Sequence, residues 1–301
     1  MTAAEPQLNP SSYPSLFRSA DASAASAQRT YLLLVSSQYF LLISAASISV
    51  LFDYSSDFYS LYAVVVTAST GLLLYMAVQK PEKDWYGCRA LAESIKTATW
   101  RYMMRAEPFA HCAETGDARI EFSKFLRSIL DANAHVHDPI SRHPSIGEQI
   151  TVEMERIRSL SLPERSKVYK EHRILDQRSW YIAKIAWNRR QFRFWLAVCV
   201  LVQLIVIILV ILRIKYDQLW SIWPTEPLLV LASSLVGWIQ LKKFNELASA
   251  YNLTAHEIAI LNDNIDMVAR EEDLSVFVND AERAFSREHT QWIARQVDRQ
   301  I

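Results

Sequence analysis

FWLAVCVLVQLIVIILVIL, residues Phe194–Leu212, carries no charged side chain. A helix needs about 20 predominantly apolar residues to cross the hydrocarbon core of a bilayer, so this run reads as a transmembrane span. Arg189, Arg190 and Arg193 precede it and place that end in the cytoplasm under the positive-inside rule. Downstream, Pro224–Leu241 reads as a returning span, closed at its inner end by Lys242 and Lys243. Upstream, Tyr31–Phe52 and Tyr59–Val78 are two further uncharged runs, separated only by Asp53–Phe58. That turn holds Asp53 and Asp57 without a base, so it lies outside. Arg213 and Lys215 mildly oppose the rule, but the segment between the second and third spans carries an excess of bases that keeps it inside. Tyr31, Tyr59, Tyr62, Trp195, Tyr216, Trp220, Trp223 and Trp238 gather near span ends, as interfacial anchors do.

The expected fold is therefore all-α, an integral membrane protein with four transmembrane helices in two hairpins and a helical cytoplasmic domain. Its parts are a mobile cytoplasmic leader (1–29), a first hairpin (30–78, spans 31–52 and 59–78), a helical cytoplasmic domain (79–193), a second hairpin (194–241, spans 194–212 and 224–241) and a cytoplasmic helical tail (242–301). The formal net charge is 0 and only 5 of 301 residues are glycine. Such a scarcity of turn-forming residues suits long helices rather than a many-stranded sheet. Cys88, Cys112 and Cys199 form no CxxC pair, which indicates neither a disulfide framework nor a zinc site.

Within the cytoplasmic domain the apolar residues recur at helical spacing. In Trp85–Ala106, Cys88, Ala92, Ile95, Tyr102 and Ala106 share one face, while Arg89, Glu93, Lys96 and Trp100 follow another. A helix with two such faces is packed on both sides. A second amphipathic helix is expected over Glu121–Asn133, followed by a solvated loop in which His135, His137, Asp138 and His143 crowd together. These lack a carboxylate or cysteine at helical spacing, so no metal site is assigned. Pro163–Arg193 reads as one long helix with Arg173, Gln177, Trp180 or Tyr181, Lys184 and Asn188 on a stripe that mirrors the first. The tail after Lys243 is acidic where the middle segment is basic, so the two attract each other.

Two strings, WYGCRALAESIKTATWRYMMRAEPF (Trp85–Phe109) and YKEHRILDQRSWYIAKIAWN (Tyr169–Asn188), combine with the two-plus-two spans to resemble the SMODS-associating four-transmembrane effector family of bacteria. The same helix pattern is similar to the related two-transmembrane SLATT effectors, whose single hairpin does not account for spans three and four. The resemblance runs from about Arg29 to Leu261 and rests on Trp85, Arg89, Glu93, Lys96, Trp100, Pro108, Phe109, Arg173, Asp176, Gln177, Trp180, Tyr181, Lys184 and Asn188. It implies a role in cyclic-oligonucleotide anti-phage signalling. A synthase makes a nucleotide messenger on infection, and the effector, a homo-oligomer with both termini cytoplasmic, permeabilises the bacterial inner membrane.

On that reading Arg89, Lys96, Arg173 and Lys184 bind phosphates, Trp100, Trp180 or Tyr181 stacks a base, and Gln177 joins them. On the other, the same groups form a salt-bridged seam with Trp85, Glu93, Asp176 and Asn188. The partners expected are the bilayer, further copies of the chain and a cyclic oligonucleotide, but no nucleic acid polymer and no cofactor. A membrane-anchored scaffold or sensor that recruits a protein through its cytoplasmic helices is the competing function. An enzyme is disfavoured, since no GxSxG, HExxH, P-loop or dinucleotide motif occurs.

Overall fold

The computed structural model describes residues 8–51, 56–110, 115–216, 218 and 222–297. Asp53, Cys112 and Trp220, and the side chain of Trp292, lie outside them. The described residues are all helical in their regular structure, with no strand. The long helices are α1 (Ser15–Leu51), α2 (Ser56–Gln79), α3 (Pro81–Met103), α4 (Thr115–Ala132), α8 (Asp176–Tyr216), α9 (Thr225–Lys242), α10 (Phe244–Asn264) and α11 (Glu271–Val297). Between α4 and α8 come three short ones, α5 (His137–Ser141), α6 (Val152–Ser159) and α7 (Leu162–Tyr169). The span Lys170–Leu175, between α7 and α8, is a π-helical turn.

One pattern occurs twice. Helix α1, of 37 residues, is followed by α2, of 24, then Lys80, then α3, of 23. Helix α8, of 41 residues, is followed by α9, of 18, then Lys243, then α10, of 21. Lys80 and Lys243 both adopt the left-handed conformation, with φ 46° and 47°. Each donates its backbone N–H to the carbonyl four residues back, Met76 and Ile239, and so closes the helix before it. This is the usual chemistry of a helix C-terminus, here with lysine where glycine is commoner. Pro81 then opens α3 at a position where its missing N–H costs nothing.

The chain divides into two compact units, and the division falls inside α1, α8 and α10 and after the first residue of α3. Unit 1 comprises 1–28, 82–183 and 250–301. Its core is built on α3, whose Cys88, Leu91, Ala92, Ile95, Trp100, Tyr102 and Met103 are all fully buried. Tyr102, Phe109 and Phe122 pack ring on ring, with centroids 4.7 to 5.8 Å apart. Two buried arginines satisfy carbonyls where α3 ends: Arg158 donates to Tyr102 O and Phe109 O, and Arg165 donates to Met104 O at 2.9 Å. Those carbonyls have no partner inside the helix, so a charged fork supplies one.

Residues 15–29, expected in a mobile leader, are instead the first turns of α1. Ser15, Ser19, Ala20, Ser23 and Ala24 are buried in unit 1. The hydroxyls bind α5 and the chain that follows it: Ser23 Oγ donates to Pro139 O, Ser145 N donates to Ser19 Oγ, and Gln149 Nε2 donates to Ser15 Oγ at 2.7 Å. Small polar residues read as unstructured in sequence, yet here they allow close approach and supply the acceptors. The histidine loop is also partly helical, forming a 3₁₀ turn (Ala134–Val136) and α5. A Cβ on Gly87 of α3 would stand 2.5 Å from Val136 Cγ1 and 3.0 Å from His135 Nε2, so the absent side chain is what lets this segment close on α3.

Unit 2 comprises 29–81 and 184–249. Gln38 of α1 donates to Ser69 Oγ of α2 at 2.8 Å, both buried. Helices α8 and α9 meet through Cys199, Val202, Ala232 and Leu235, with the Trp195 and Trp238 rings 6.3 Å apart. A Cβ on Gly237 of α9 would lie 2.6 Å from the Tyr39 hydroxyl of α1, so those two helices touch at the glycine. Elsewhere the apolar side chains face outward: Leu74, Val78, Ile208 and Ile211 are all exposed. Contiguous exposed apolar surface of this kind marks a face meant for lipid or another protein.

Among the described residues three helical runs are long and apolar enough to cross a membrane, within Ser15–Val50, Asp57–Met103 and Leu162–Tyr216. The fourth expected span is a helix over its expected range, but it is not among them. Glu226, Ser233, Ser234 and Gln240 interrupt the apolar run of α9.

Candidate functional site

The polar residues picked from sequence converge in unit 1 around one that was not. Glu282 of α11 is fully buried. It accepts hydrogen bonds from Arg173 Nε at 2.8 Å, Arg173 Nη2 at 2.6 Å, Tyr169 Oη at 3.0 Å and Thr97 Oγ1 at 3.0 Å. Four donor atoms, one from α3 and three from the continuous stretch of α7 and the π turn, therefore share one carboxylate. Burying an ion is expensive unless it is paired and its remaining lone pairs are satisfied, and here both conditions hold.

The π-helical turn places Arg173 for this contact. A π turn inserts one residue into an α-helix and commonly marks a functional position. Arg173 is 1% exposed, and its guanidinium lies 4.8 Å from the centre of the Phe285 ring. Burial alone would lower its pKa, but the Glu282 carboxylate outweighs that and holds it above the ordinary value. Burial pushes the neighbouring Tyr169 phenol well up. Trp100 of α3 meets the Tyr169 ring edge-on, with centroids 5.5 Å apart.

Arg89 of α3 is held by two acids, Asp21 of α1 at 2.9 Å and Glu93 one turn along at 2.6 Å. Lys96 makes no hydrogen bond or ion pair among the described residues. Burial first, and then Arg173, lower its pKa to about 8, against a weaker pull upward from Glu93 and Glu282. Two more buried donors, Arg173 Nη1 and Trp100 Nε1, make no hydrogen bond of good geometry among the described residues. The Tyr13 hydroxyl faces the same region, raised by burial and opposed by Arg173 and by the nearby Trp100 N–H. The arrangement is thus a neutralised clamp, Arg173 with Glu282 and Arg89 with its two acids, beside a small group of unsatisfied donors.

The second stripe does not stay together. Trp180 and Tyr181 of α8 pack against Tyr251 of α10, with centroids 5.6 and 5.5 Å apart, and Tyr181 is buried. Asp176 is exposed and Gln177 is half-buried. Trp85, half-buried, packs on Tyr86. Lys184 and Asn188 belong to unit 2, where Lys184 lies over the Trp187 ring and Asn188 is buried and donates to the Lys184 carbonyl. Of the residues named from sequence, then, Arg89, Glu93, Lys96, Trp100 and Arg173 surround the clamp.

The attraction expected between the acidic tail and the basic middle segment is present. Arg173 pairs with Glu282, Arg165 with Glu271, and Lys170 with Asp266 at 2.6 Å. Composition signalled the tail as acidic, but no spacing rule singles out Glu282 from its neighbours. Arg158 and Arg165 were missed for the same reason, since a buried arginine serving carbonyls has no sequence signature. Among the described residues there is no group of three or more His, Cys, Asp or Glu able to hold a metal ion. His137 is engaged with the Leu130 carbonyl.

Two family models match the chain in tandem. The one described as SMODS and SLOG-associating 2TM effector domain 3 matches residues 14–166, and the one described as SMODS and SLOG-associating 2TM effector domain 1 matches residues 169–292. Their boundary falls just before the π turn, so each match takes in one copy of the repeated helical pattern. No curated protein and no solved structure matches.

Proposed function

Because the chain belongs to the family of SMODS and SLOG-associating 2TM effectors, we propose that it is a multi-pass effector of a bacterial anti-phage system that oligomerises and permeabilises the inner membrane when its cytoplasmic helices bind a cyclic nucleotide messenger. The observation that carries this reading is the repeated pattern: two tandem matches to a two-transmembrane effector domain, each over a long helix, a shorter one, a left-handed lysine and a third helix. In the second copy α9 stands where α2 stands in the first, which supports four spans in two hairpins. The bases before Phe194 and at Lys242 and Lys243 support cytoplasmic termini.

Four helices from one chain are too few to enclose a wide aqueous path, so permeation requires several chains. The outward-facing apolar surface of unit 2 is where lipid and further copies would pack. A ligand acts by binding one arrangement of the helices more tightly than another, and unit 1 supplies charged clamps that such a ligand would rearrange.

The test is membrane potential and dye uptake in cells expressing the protein, with and without co-expressed synthases for cyclic di- and trinucleotides. Depolarisation under one messenger alone supports a gated effector. An intact membrane under all of them refutes it in favour of a scaffold or sensor.

A further inference from the structure

Away from the clamp, α4 and the segment before α6 border an open groove of ≈ 650 Å³, within the range of about 300–1,000 Å³ typical of small-molecule sites. Arg119, Ser123, Lys124 and Arg127 line one side, at helical spacing along α4, and Gln149 and Ile150 line the other. Glu148 is the acid of the lining, so three cations face one carboxylate. Arg127 and Ser123, both exposed, make no hydrogen bond or ion pair among the described residues. Arg119 and Lys124 have only long contacts to half-buried acids, Glu155 at 3.5 Å, which also accepts from the Tyr102 hydroxyl, and Glu121 at 3.8 Å. Pairs this long, with the cation itself exposed, contribute little and are readily exchanged for a better acceptor. Arginine forks suit the paired oxygens of phosphate, and Ile120 and Ile150 provide apolar contact beside them.

The far wall of the groove is also what fastens the start of α1. Glu148 O accepts from Ser15 N at 3.1 Å, and Gln149 both accepts from Leu16 N at 3.2 Å and donates to Ser15 Oγ at 2.7 Å. Thr151 Oγ1 donates to Ser12 O at 2.8 Å. Two consecutive lining residues, Glu148 and Gln149, thus bind the N-terminal turn of a helix that continues to Leu51.

We infer that this groove binds the phosphates of a phosphate-bearing ligand and passes its occupancy to α1 through Glu148 and Gln149. The second half of that statement rests on the effector reading above; the first does not. The phosphate can come from a soluble nucleotide or from a lipid headgroup.

The experiment uses the full chain in phosphatidylcholine nanodiscs. Cyclic di-AMP, cyclic GMP–AMP, cyclic tri-AMP, inorganic phosphate and dihexanoyl phosphatidylglycerol are titrated against wild type, Lys124→Glu/Arg127→Glu and Gln149→Ala. Both reversed charges are on exposed side chains, and an unchanged thermal melt confirms that the variant is folded. The expected result is binding of at least one probe to wild type, weakened about tenfold or more by the double reversal, as the loss of charge-assisted hydrogen bonds requires. Binding by a nucleotide or by phosphatidylglycerol identifies the source. Gln149→Ala is expected to lose the depolarisation response even at probe concentrations that saturate its groove, and a full response at saturation overturns the link to α1. Binding to none of the probes, or binding that the double reversal leaves unchanged, overturns the groove. A wild type that binds through the groove yet never depolarises cells overturns the effector reading and leaves the phosphate site standing.

Discussion

Replacing Lys96 by Met should stabilise the protein. The Lys96 amine sits beside Arg89 on α3 and Arg173 on the π turn, with Glu93 and Glu282 as the nearest acids, and burial lowers its pKa from an ordinary 10.5 to about 8. At about 1.4 kcal/mol for each pKa unit, keeping it charged costs the folded state about 3 kcal/mol. Residual solvation of the amine reduces this, so about 1–3 kcal/mol is expected. Below pH 8 both folded and unfolded chains hold the proton and the full cost applies. Between pH 8 and 10.5 the folded chain has released it while the unfolded chain has not, so stability rises with pH. Methionine has similar length and no charge, and should remove both the cost and the slope. The assay is tryptophan-fluorescence melting of the detergent-solubilised protein from pH 6.5 to 9.5. The variant should melt several degrees higher at pH 6.5–7, and the gap should narrow toward pH 9.5. A variant less stable than wild type at pH 7, or a gap that does not change with pH, would refute the reasoning and show that the charge is a favourable part of the clamp.

Glu282→Ala leaves the Arg173 charge buried without its partner and strips acceptors from Tyr169 and Thr97; a loss of about 3–5 kcal/mol is expected, read as a lowered melting midpoint, and a loss under about 1 kcal/mol contradicts the burial of the pair. Gly237→Ala forces a methyl against the Tyr39 hydroxyl and should cost about 1–3 kcal/mol, with Tyr39→Phe in the same chain recovering part of it; equal stability of single and double variants in melting curves argues against that contact. The Cys88 thiol, pushed up to about 11 chiefly by burial, should resist maleimide at pH 7.5 in a Cys112→Ser background until the protein is unfolded; rapid labelling under native conditions would show that α3 is open to solvent.

How far these features could be read in advance follows from how local their causes are. The third span is legible because Phe194–Leu212 is apolar without interruption, and α3 and α4 are legible because their apolar residues recur at one period. The start of α1 is not, since Ser15, Ser19 and Ser23 gain meaning only from acceptors and donors more than 100 residues away. The fourth span lies at the margin because a glutamate, two serines and a glutamine dilute α9. At the clamp, Arg89 with Glu93 follows from spacing alone, whereas Arg173 with Glu282 spans 109 residues and has no local trace. The doubling of the whole chain was hidden as well. It is carried by the order of helices and by two left-handed lysines, not by repeated words in the sequence.

The π turn at Lys170–Leu175 sets the angular phase of everything after it. An α-helix advances about 100° per residue, so the single residue accommodated there decides which way each later side chain points. Removing one residue from this turn would let α7 and α8 close into one regular helix. Glu271 and Glu282 of α11, which follow the turn, would lose register with Arg165 and Tyr169, which precede it. A single codon there thus acts as an indexing notch, setting the register in which α11 meets α7.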